Sequence, residues 1–481
     1  MYDVVIVGAG PVGLFLACEV GLAGCSVLVI ERESEGQSPW RAHPLGMRGL
    51  SAASVEAFSR RGMLAELKTA SGAGDEPPRA GGHFAGMMVD ADQVDELPFR
   101  LPSLVTGPML TSLEAVESVL AERAAKLGVE IERGTAVSGV TQYDDHVVVS
   151  AGEREYAARW VVGCDGGHSV VRALAGFEFA GTPPEFTGYV MHATLADPEK
   201  LRPGFNLTPT GMYLVMQADG HVAMMDFDGG AYDRSQELTR GHLQEVLRRV
   251  SDTDVTVIDV RLASSFTDRA MQTTTYRNGR VLVAGDAAHI HAPLGGQGLN
   301  TGLGDAMNLG WKLAATVRGQ APDGLLDTYT SERHPIGAAV LDWTRAQAMV
   351  MRPGPSAGAM QGLIRDLLGT RDGATYVSRK LSGLALRYDV GSEHPLVGRN
   401  APDFQFEDGT RLGDLLQDGR AVVLDFRGNL QDSVAGKDIR YVAGPVLDDL
   451  GLDAVLVRPD GVVAWAGDPE PFEDAVRRWA A

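Results

Sequence analysis

Residues 3–33, DVVIVGAGPVGLFLACEVGLAGCSVLVIERE, decide the fold of the first part of this chain. A short β-branched run gives way to helical periodicity and then to a second β-branched run, which predicts strand, tight turn, helix and strand. The turn fits the pattern G-x-G-x-x-G in the required setting, after a strand and at the start of a helix. Its residues are Gly8, Ala9, Gly10, Pro11, Val12 and Gly13. We therefore predict a βαβ unit whose helix N-terminus binds the pyrophosphate of a dinucleotide.

Glu31 ends the second predicted strand, roughly twenty residues after the turn. An acidic side chain at this place accepts hydrogen bonds from the adenosine ribose and repels a 2′-phosphate, which favours FAD or NAD over NADP. We expect the neighbouring Arg32 and the later Arg41 to contribute to the same cofactor site. The motif occurs once in such a setting, so if FAD occupies it, a nicotinamide cofactor must bind transiently.

The composition limits the partners of the chain. Its 481 residues include 63 acidic and 43 basic side chains, and the formal net charge of −20 repels a nucleic-acid backbone or an anionic membrane. Only three cysteines occur, and none has a metal-ligand spacing. The first predicted strand starts at Tyr2 without a basic leader, and no apolar run approaches the roughly 18 residues of a membrane span. We expect a cytoplasmic globular protein with no metal site.

The rest of the chain changes its pattern several times. A helix is predicted over 51–67, and a Gly/Pro-rich stretch over 71–86 predicts a loop or a crossing between domains. Between 177 and 268 strands follow one another without interleaved helices, which indicates a separate sheet inserted between two halves of the nucleotide-binding domain. A long helical region is predicted from Gly302 to about residue 348. From about residue 400, short β-rich runs and a helix after Pro471 indicate a small α/β domain.

Two further motifs lie downstream of the first. Residues 163–172 read GCDGGHSVVR, and residues 279–289 read GRVLVAGDAAH. A glycine-rich stretch, APLGGQGLNTG, follows at 292–302 and leads into DAMNLGWKL at 305–313. Together with the first turn, these stretches resemble the motifs of single-component FAD-dependent aromatic hydroxylases, a family that includes polyketide hydroxylases and rifampicin monooxygenases.

The resemblance implies an α/β fold with three parts. These are a Rossmann-type FAD-binding domain like that of para-hydroxybenzoate hydroxylase, an inserted antiparallel-sheet domain for the substrate, and a thioredoxin-like C-terminal domain. The expected ranges are 1–75, 100–176 and 269–390 with trailing helices for FAD, 76–99 and 177–268 for the substrate, and 398–481 for the last domain. Because the last domain contains no cysteine, thiol redox chemistry is excluded there, and we expect a packing or dimer-stabilising role.

The resemblance also assigns roles to motif residues. It implies that Asp286, beside Gly285, hydrogen-bonds the ribityl chain of FAD, and that Asp165, beside Gly166, supports the pyrophosphate and the transient reductant. Amides at the head of the Gly302 helix are expected to stabilise negative charge on the N1/O2 edge of the reduced flavin. The remaining candidates are Pro293, Gly295 and Gly296, which would shape the catalytic cavity, and Gly298, Leu299 and Asn300, which would bind the cofactor.

The resemblance bears on three further contacts between the protein and the cofactor. The family usually has an arginine against the flavin after the second strand, and Arg41 and Arg48 both qualify. The family places His289 beside the FAD phosphates, so we do not predict that His289 and His291 bind a metal. It also tends to carry Gln or Arg near 111–114, where this sequence has neither.

Members of this family reduce FAD with NAD(P)H, and O2 then gives a flavin C4a-hydroperoxide whose terminal oxygen hydroxylates an aromatic ring. The resemblance thus implies a monooxygenase with tightly, non-covalently bound FAD, a monomer or homodimer acting on a polycyclic polyketide or antibiotic-like molecule in antibiotic biosynthesis or resistance. Baeyer–Villiger or ring-opening oxygenation and a catalytically silent flavin-binding protein are the alternatives. A flavin halogenase would show a WxWxIP stretch, which none of the six tryptophans provides.

Six apolar residues fall in segments that line either the substrate cavity or the ordinary core. They are Phe84, Met88, Met109, Met212, Met216 and Met225. Met212 and Met216 are four residues apart on a predicted strand, so they are expected to share one face. If these side chains line the cavity, it is broad and apolar, which suits a polycyclic substrate.

Overall fold

The structure, a computed structural model, describes residues 1–72, 80–216, 220–467 and 471–479. The elements before residue 176 are β1 Tyr2–Val7, α1 Pro11–Leu22, β2 Val27–Ile30, β3 Met47–Leu50, α2 Ala52–Ser59, α3 Leu64–Ser71, β4 Ala80–Phe84, β5 Met87–Asp90, β6 Met109–Ser112, α4 Leu113–Lys126, β7 Glu130–Glu132, β8 Val137–Gln142, β9 Val147–Ala151, β10 Arg154–Gly163 and α5 Val170–Leu174. The elements of the middle segment are β11 Phe179–Thr182, β12 Thr187–Leu195, β13 Gly204–Thr208, β14 Gly211–Val215, β15 His221–Asp226, α6 Arg240–Ser251, β16 Val257–Thr267 and β17 Ala270–Thr273.

The chain then returns to the first sheet and continues into long helices. These elements are β18 Arg277–Asn278, β19 Val281–Val283, β20 His289–Ile290, α7 Gln297–Arg318, α8 Thr328–Met351, α9 Ala357–Leu368 and α10 Arg371–Ser382. The C-terminal elements are α11 Leu412–Leu415, β21 Ala421–Asp425, β22 Ile439–Ala443, β23 Ala454–Val457, β24 Val463–Trp465 and α12 Phe472–Trp479.

The largest sheet has the strand order β18-β19-β10-β1-β2-β7, and the β8–β9 hairpin extends it from β10. Strands β19, β10, β1, β2 and β7 run parallel. Val4, Val5 and Ile6 are fully buried, as expected for a parallel strand covered on both faces. Helix α1 packs between this sheet and α7. The predicted βαβ unit is therefore confirmed, and β10 and β19 supply the strands before the second and third motifs.

The middle segment forms a separate antiparallel sheet of order β13-β14-β15-β12-β16. Its two faces bury different residues because side chains alternate along a strand. Met224 packs towards α6 in one hydrophobic cluster. Its neighbour Met225 points to the other face, towards the β4–β5 hairpin and α8 to α10. The predicted inserted sheet is thus present, with one face available to the nucleotide-binding half.

The C-terminal segment forms a four-stranded sheet of order β22-β21-β23-β24. β21 pairs parallel with β22 and antiparallel with β23, and β24 returns antiparallel to β23. This order and these directions match the thioredoxin-like prediction. The domain has its own core, which Leu101, Trp311 and Leu325 of the preceding segments complete.

Two predicted helices are divided by glycines in the left-handed conformation. The helix predicted over 51–67 is two helices, α2 and α3, because Gly62 between them has a φ of +68°. The long helix predicted from Gly302 begins five residues earlier, at Gln297. It ends at Arg318, where Gly319 caps it with a φ of +70°, and α8 starts only at Thr328. Glycine adopts this conformation at little cost and is common after a helix C-terminus.

The loop predicted over 71–86 differs in part. Residues 73–79 lie outside the described part of the chain. From Ala80 onwards the chain forms the strand β4, which pairs antiparallel with β5. The glycines in this stretch are compatible with an irregular strand, and Gly82 has a φ of +93°.

Candidate active site

The glycine turn between β1 and α1 lies at the carboxyl end of the parallel sheet, where α/β proteins bind ligands. Gly8 has a φ of +106°, and a Cβ on it would lie 2.4 Å from the carbonyl oxygen of Cys164. A Cβ on Gly13 would lie 2.0 Å from the carbonyl oxygen of Gly8. Both positions therefore require glycine, because a side chain would push the turn away from β10 or α1 away from the turn.

The space around Gly10 is open, whereas Gly8 and Gly13 are crowded by neighbouring backbone. A Cβ on it would meet no atom within 4 Å. It precedes Pro11, the first residue of α1, and no side chain caps this helix. The turn borders a cavity of about 730 Å³, within the roughly 300–1,000 Å³ of small-molecule sites. Uncapped amides beside an open glycine are the arrangement that a pyrophosphate needs, so FAD fits this end of the cavity.

Glu31 follows β2 and borders the same cavity. Its carboxylate accepts one hydrogen bond on each oxygen, from the amide of Ala9 at 2.7 Å and from the amide of Glu33 at 2.9 Å. Each carboxylate oxygen has a further lone pair, so acceptors remain for ribose hydroxyls. Arg32 also borders the cavity, but its side chain is exposed and pairs with Glu33 at 3.3 Å.

Arg41 and Arg48 lie at different ends of the site. Arg41 borders the same cavity and forms an ion pair with Glu117 at 3.3 Å. Burial raises the pKa of Glu117 to about 7, against the opposing effect of Arg41. Arg48 lies on β3 and donates to the carbonyl oxygens of Leu45 at 2.9 Å and Met47 at 2.8 Å. Burial lowers the pKa of Arg48, and the charge of Asp286 opposes that shift.

Asp165 follows β10 and caps the short helix α5. Its carboxylate accepts from the Ser169 hydroxyl at 2.5 Å and from the amides of Val170 at 2.7 Å and Val171 at 3.1 Å. Gly166 beside it has a φ of +78°, and both residues border the cavity of the glycine turn. The second motif therefore builds a wall of this cavity, opposite Glu31.

Asp286 lies on a turn after β19, next to Gly285 with a φ of +60°. Its side chain is exposed. A Cβ on Gly298, in the first turn of α7, would lie 3.9 Å from a carboxylate oxygen of Asp286. The structure thus brings the third motif and the glycine-rich stretch together at the head of α7.

Asp305 supports this turn from the protein interior, a role that the motif pattern does not predict. It is fully buried in α7 and accepts from the Gly285 amide at 3.0 Å and from Nε2 of His289 at 2.8 Å. Nε of Arg333 donates to its other oxygen at 2.8 Å. Burial alone would raise the pKa of Asp305, but Arg333 and His289 outweigh it and lower that pKa. A carboxylate among the apolar residues of a helix was the signal for this role.

The glycine-rich stretch makes a tight double turn before α7. Gly295 and Gly296 have φ of +76° and +65°. Pro293 is exposed at the start of the turn, and no side chain caps the helix after Gly296. The amides of Gly298 and Leu299 therefore lie in the uncapped first turn, whose partial positive charge suits an anionic group.

Asn300 and Val12 fix α7 to its neighbours. The Asn300 side chain accepts from the Ser51 amide at 2.7 Å and donates to the Gly49 carbonyl at 2.9 Å. A Cβ on Gly302 would lie 2.6 Å from a methyl group of Val12, so α7 packs closely against the first turn of α1. The amide of Asn300 belongs to the head of α7, whereas its side chain holds β3 and α2.

Three of the six predicted substrate residues come together. Phe84, Met212 and Met225 are buried in one cluster with Ala292 and Leu294 of the glycine-rich stretch. Met212 and Met225 are direct cross-strand partners on β14 and β15.

The other three predicted substrate residues lie elsewhere. Met88 is 57% exposed on β5, and Met109 packs into the core of the large sheet. Met216 lies just beyond the end of β14, so the strand that was predicted to carry both Met212 and Met216 ends one residue before Met216.

His289 and His291 are both engaged by the protein. His289 is buried against Asp305 rather than placed in the cavity of the glycine turn, and Nδ1 of His291 contacts the carbonyl oxygen of Ala292 at 2.7 Å. Among the residues that the structure describes, no three His, Cys, Asp or Glu side chains are grouped as a metal site. In the same residues, no helix has the length and apolar character needed to cross a membrane.

Comparisons with known proteins agree with this geometry. Residues 1–344 match the model of the FAD binding domain, and residues 394–481 match that of the aromatic-ring hydroxylase C-terminal domain. A protein named as a monooxygenase from Claviceps purpurea (strain 20.1) is 45% identical over 98% of this chain and 96% of its own. A rifampicin monooxygenase from Streptomyces venezuelae is 40% identical over the same shares of the two chains. The crystal structure of CabE, an aromatic hydroxylase from angucycline biosynthesis, is similar with a TM-score of 0.88, 34% identity and coverage of 100% of this chain and 99% of that one.

Proposed function

Because this chain belongs to the family of FAD-dependent aromatic-ring monooxygenases, we propose that it uses NAD(P)H and O2 to hydroxylate a polycyclic aromatic molecule of the polyketide or antibiotic type. The observation that carries the proposal is the contact between an apolar face of the inserted sheet and the glycine-rich stretch. Phe84, Met212 and Met225 share one buried cluster with Ala292 and Leu294. A large apolar molecule bound at this boundary would lie beside the cofactor.

The protein's own residues bind and orient the cofactor in this proposal. The turn at Gly10 and the first amides of α1 hold the pyrophosphate, and Glu31 accepts from the ribose. Asp286 accepts from the ribityl hydroxyls, and the amides of Gly298 and Leu299 stabilise negative charge on the flavin ring. When bound and reduced, FAD supplies the activation of O2 to an electrophilic oxygen donor.

The proposed substrate residues determine the shape of the substrate cavity and keep it free of water. The cluster of Phe84, Met212 and Met225 excludes water, which would otherwise divert the activated oxygen to peroxide. Two methionines with flexible, polarisable side chains suit a broad planar ligand. Met88, Met109 and Met216 lie outside the cluster, so we propose no substrate contact for them. We propose the same division into FAD-binding, substrate and C-terminal parts as expected from the sequence.

The reductant binds without a second dinucleotide domain. Only one turn of the type found at Gly8 to Gly13 follows a strand in this sequence. NAD(P)H therefore reaches the flavin from outside, and Asp165 and Gly166, on the cavity wall opposite Glu31, are the proposed neighbours of its path.

The role of Asp286 predicts a large loss of cofactor affinity on truncation. Asp286→Ala is expected to raise the Kd for FAD by about 10- to 100-fold, since a hydrogen bond to a charged acceptor contributes roughly 1.5–3 kcal/mol. The measurement is titration of the apoprotein with FAD, followed by quenching of flavin fluorescence. Asp342→Ala is the control, because Asp342 is an exposed aspartate of α8 that pairs with Arg345 on the same helix. Equal Kd values for the two variants would contradict the role of Asp286.

The proposed activity is tested by reduction kinetics. Purified protein is expected to show the absorption bands of bound FAD, and a library of polycyclic phenols should contain a compound that accelerates flavin reduction by NADPH or NADH in a stopped-flow instrument. The product should contain one added oxygen atom as a ring hydroxyl. Baeyer–Villiger oxygenation also adds one oxygen, so the structure of the product, not its mass, separates the two reactions. Failure to bind FAD even after reconstitution would exclude the proposal.

A further inference from the structure

The turn that carries Asp286 is joined to the C-terminal domain by a chain of buried and partly buried side chains. The first link is Asp305, which accepts from the Gly285 amide and from His289, at 3.0 Å and 2.8 Å. Gly285 and His289 lie on either side of Asp286 in the chain. The position of the Asp305 carboxylate therefore fixes the backbone from which the Asp286 side chain extends. Asp305 itself is fully buried and has no contact with the cavity of the glycine turn.

The second link is Arg333 of α8, which is 2% exposed. It donates from Nε to Asp305 at 2.8 Å, from Nη2 to the Thr301 carbonyl at 2.9 Å and from Nη1 to the Tyr388 hydroxyl at 2.9 Å. Three donors in a rigid planar fork therefore fix three acceptors at once. Through Asp305 and Thr301, Arg333 also sets how α7 and the turn after β19 face each other.

The third link is Tyr388, on the segment between α10 and the C-terminal domain. Its amide donates to the Gly398 carbonyl at 2.8 Å, and the Gly398 amide donates to the Val463 carbonyl of β24 at 2.8 Å. The guanidinium of Arg458, just after β23, lies 5.6 Å from the centre of the Tyr388 ring. Tyr388 is thus held by the C-terminal sheet on one side and holds Arg333 on the other.

From this chain of contacts we infer that Tyr388, Arg333 and Asp305 are positioning residues through which the C-terminal domain sets the geometry of the Asp286 turn. The inference rests on the proposed role of the cleft in binding FAD. It gives the cysteine-free C-terminal domain a role in cofactor binding, beyond the packing or dimer stabilisation expected from its sequence. None of the three residues touches the cofactor in this proposal, since they act through the Gly285 amide and His289.

Two substitutions test the link without removing a buried charge. Arg333→Lys keeps the positive charge but cannot hold Asp305, Thr301 and Tyr388 together. Tyr388→Phe keeps the ring and removes the hydroxyl. We expect the Kd for FAD to rise about 10-fold in Arg333→Lys and about 5-fold in Tyr388→Phe, and the visible circular dichroism of the bound flavin to change, because its surroundings shift.

Arg61→Lys is the matched control. Arg61 also fastens the C-terminal domain, by donating to the Leu416 and Pro459 carbonyls at 2.8 Å each and pairing with Glu19 at 2.6 Å. None of these partners belongs to the links between Tyr388 and Asp286. Arg61→Lys should therefore lower the thermal unfolding midpoint of the apoprotein at least as far as Tyr388→Phe does, with an FAD Kd within about 2-fold of wild type.

The outcomes separate the inference from the proposed function. If wild-type protein binds no FAD, the proposed function fails before the variants are compared. If wild-type protein binds FAD and either link variant retains its Kd and flavin dichroism while folded, the inference is overturned. It is also overturned if Arg61→Lys weakens FAD binding in proportion to its loss of stability, because docking alone would then explain the effect. Should Arg333→Lys not fold, Tyr388→Phe decides alone.

Discussion

The Gly10→Ala variant is expected to fold like the wild-type protein and to bind FAD at least about 100-fold more weakly, a loss of about 2.7 kcal/mol. Gly10 has φ −75° and ψ 179°, a conformation that alanine adopts without strain. The added methyl group would meet no protein atom within 4 Å. It would instead stand at the turn where we propose that the pyrophosphate approaches the backbone. The substitution thus acts on the ligand and spares the fold.

Two other glycine substitutions make this result interpretable. Gly13→Ala should impair folding itself, because its Cβ would lie 2.0 Å from the Gly8 carbonyl oxygen. Gly241→Ala, in α6 of the middle segment, would meet the Thr239 hydroxyl oxygen at an ordinary 3.9 Å, and it should leave FAD binding almost unchanged and stability equal or slightly higher. The measurements are thermal unfolding of the apoproteins and FAD titration. A Gly10→Ala protein with wild-type affinity for FAD would show that the pyrophosphate does not bind at this turn.

The glycine turn between β1 and α1 was predictable because its rules are local. A G-x-G-x-x-G turn depends on backbone angles and close approach within a few residues, so the positions of Gly8, Gly10 and Gly13 in the turn could be predicted from sequence. The place of Glu31 could be predicted from its spacing to the glycine turn along the same βαβ unit. The thioredoxin-like prediction for the last domain also rested on short runs of buried residues, and the strand order β22-β21-β23-β24 confirms it.

The buried residues that support the site from the protein interior were not predictable in the same way. Arg333 meets Asp305 from 28 residues away, and Arg458 meets Glu332 from 126 residues away. No periodicity joins such pairs, since only the packing of α7 against α8 and the C-terminal domain brings them together. His289 illustrates the same limit, because resemblance placed it by the phosphates and the structure pairs it with a buried carboxylate.

The prediction of the six candidate substrate residues required knowing which face of each strand is turned towards the site, and alternation along a strand does not tell this. A period of two shows that neighbours such as Met224 and Met225 face opposite ways, but not which of the two faces the glycine-rich stretch. Met109 shows the consequence: it lies on β6, paired with β3, and therefore joins the core of the large sheet. Helix breaks were missed for a related reason, since Gly62 and Gly319 act through a left-handed conformation that composition alone does not reveal.

A buried charge cluster lies beside the link residues. Glu332 on α8 is 4% exposed and accepts from Arg458 at 2.8 and 2.9 Å and from Lys312 at 2.8 Å. Arg458 is fully buried and also pairs with Asp460 at 2.5 Å. Two cations thus meet two carboxylates where α7, α8 and the C-terminal domain come together.

The Glu332→Gln variant is expected to lose about 3–5 kcal/mol of the free energy of unfolding near pH 7, because it leaves two buried cations facing only Asp460. Lys312 can relieve part of the imbalance by releasing its proton, since burial lowers its pKa to about 8. Arg458 cannot, because guanidinium stays charged at any accessible pH. Urea unfolding followed by tryptophan fluorescence measures the loss, as Trp311 and Trp479 stack on Arg458.

The pH dependence of this loss gives a second test of the cluster. Burial alone would raise the pKa of Glu332, but Arg458 and Lys312 outweigh it and hold the pKa at about 2, below the ordinary 4.5. For a carboxyl with a lowered pKa, the stabilisation is complete above pH 4.5 and disappears as the pH falls towards 2, a change of about 3 kcal/mol at 1.36 kcal/mol per pKa unit. The difference between wild type and Glu332→Gln should therefore shrink as the pH falls from 4.5 towards 2. Asp453→Asn, which breaks an exposed pair with Arg427, should cost less than about 1 kcal/mol. A Glu332→Gln variant no less stable than Asp453→Asn would show that the cluster does not hold the C-terminal domain.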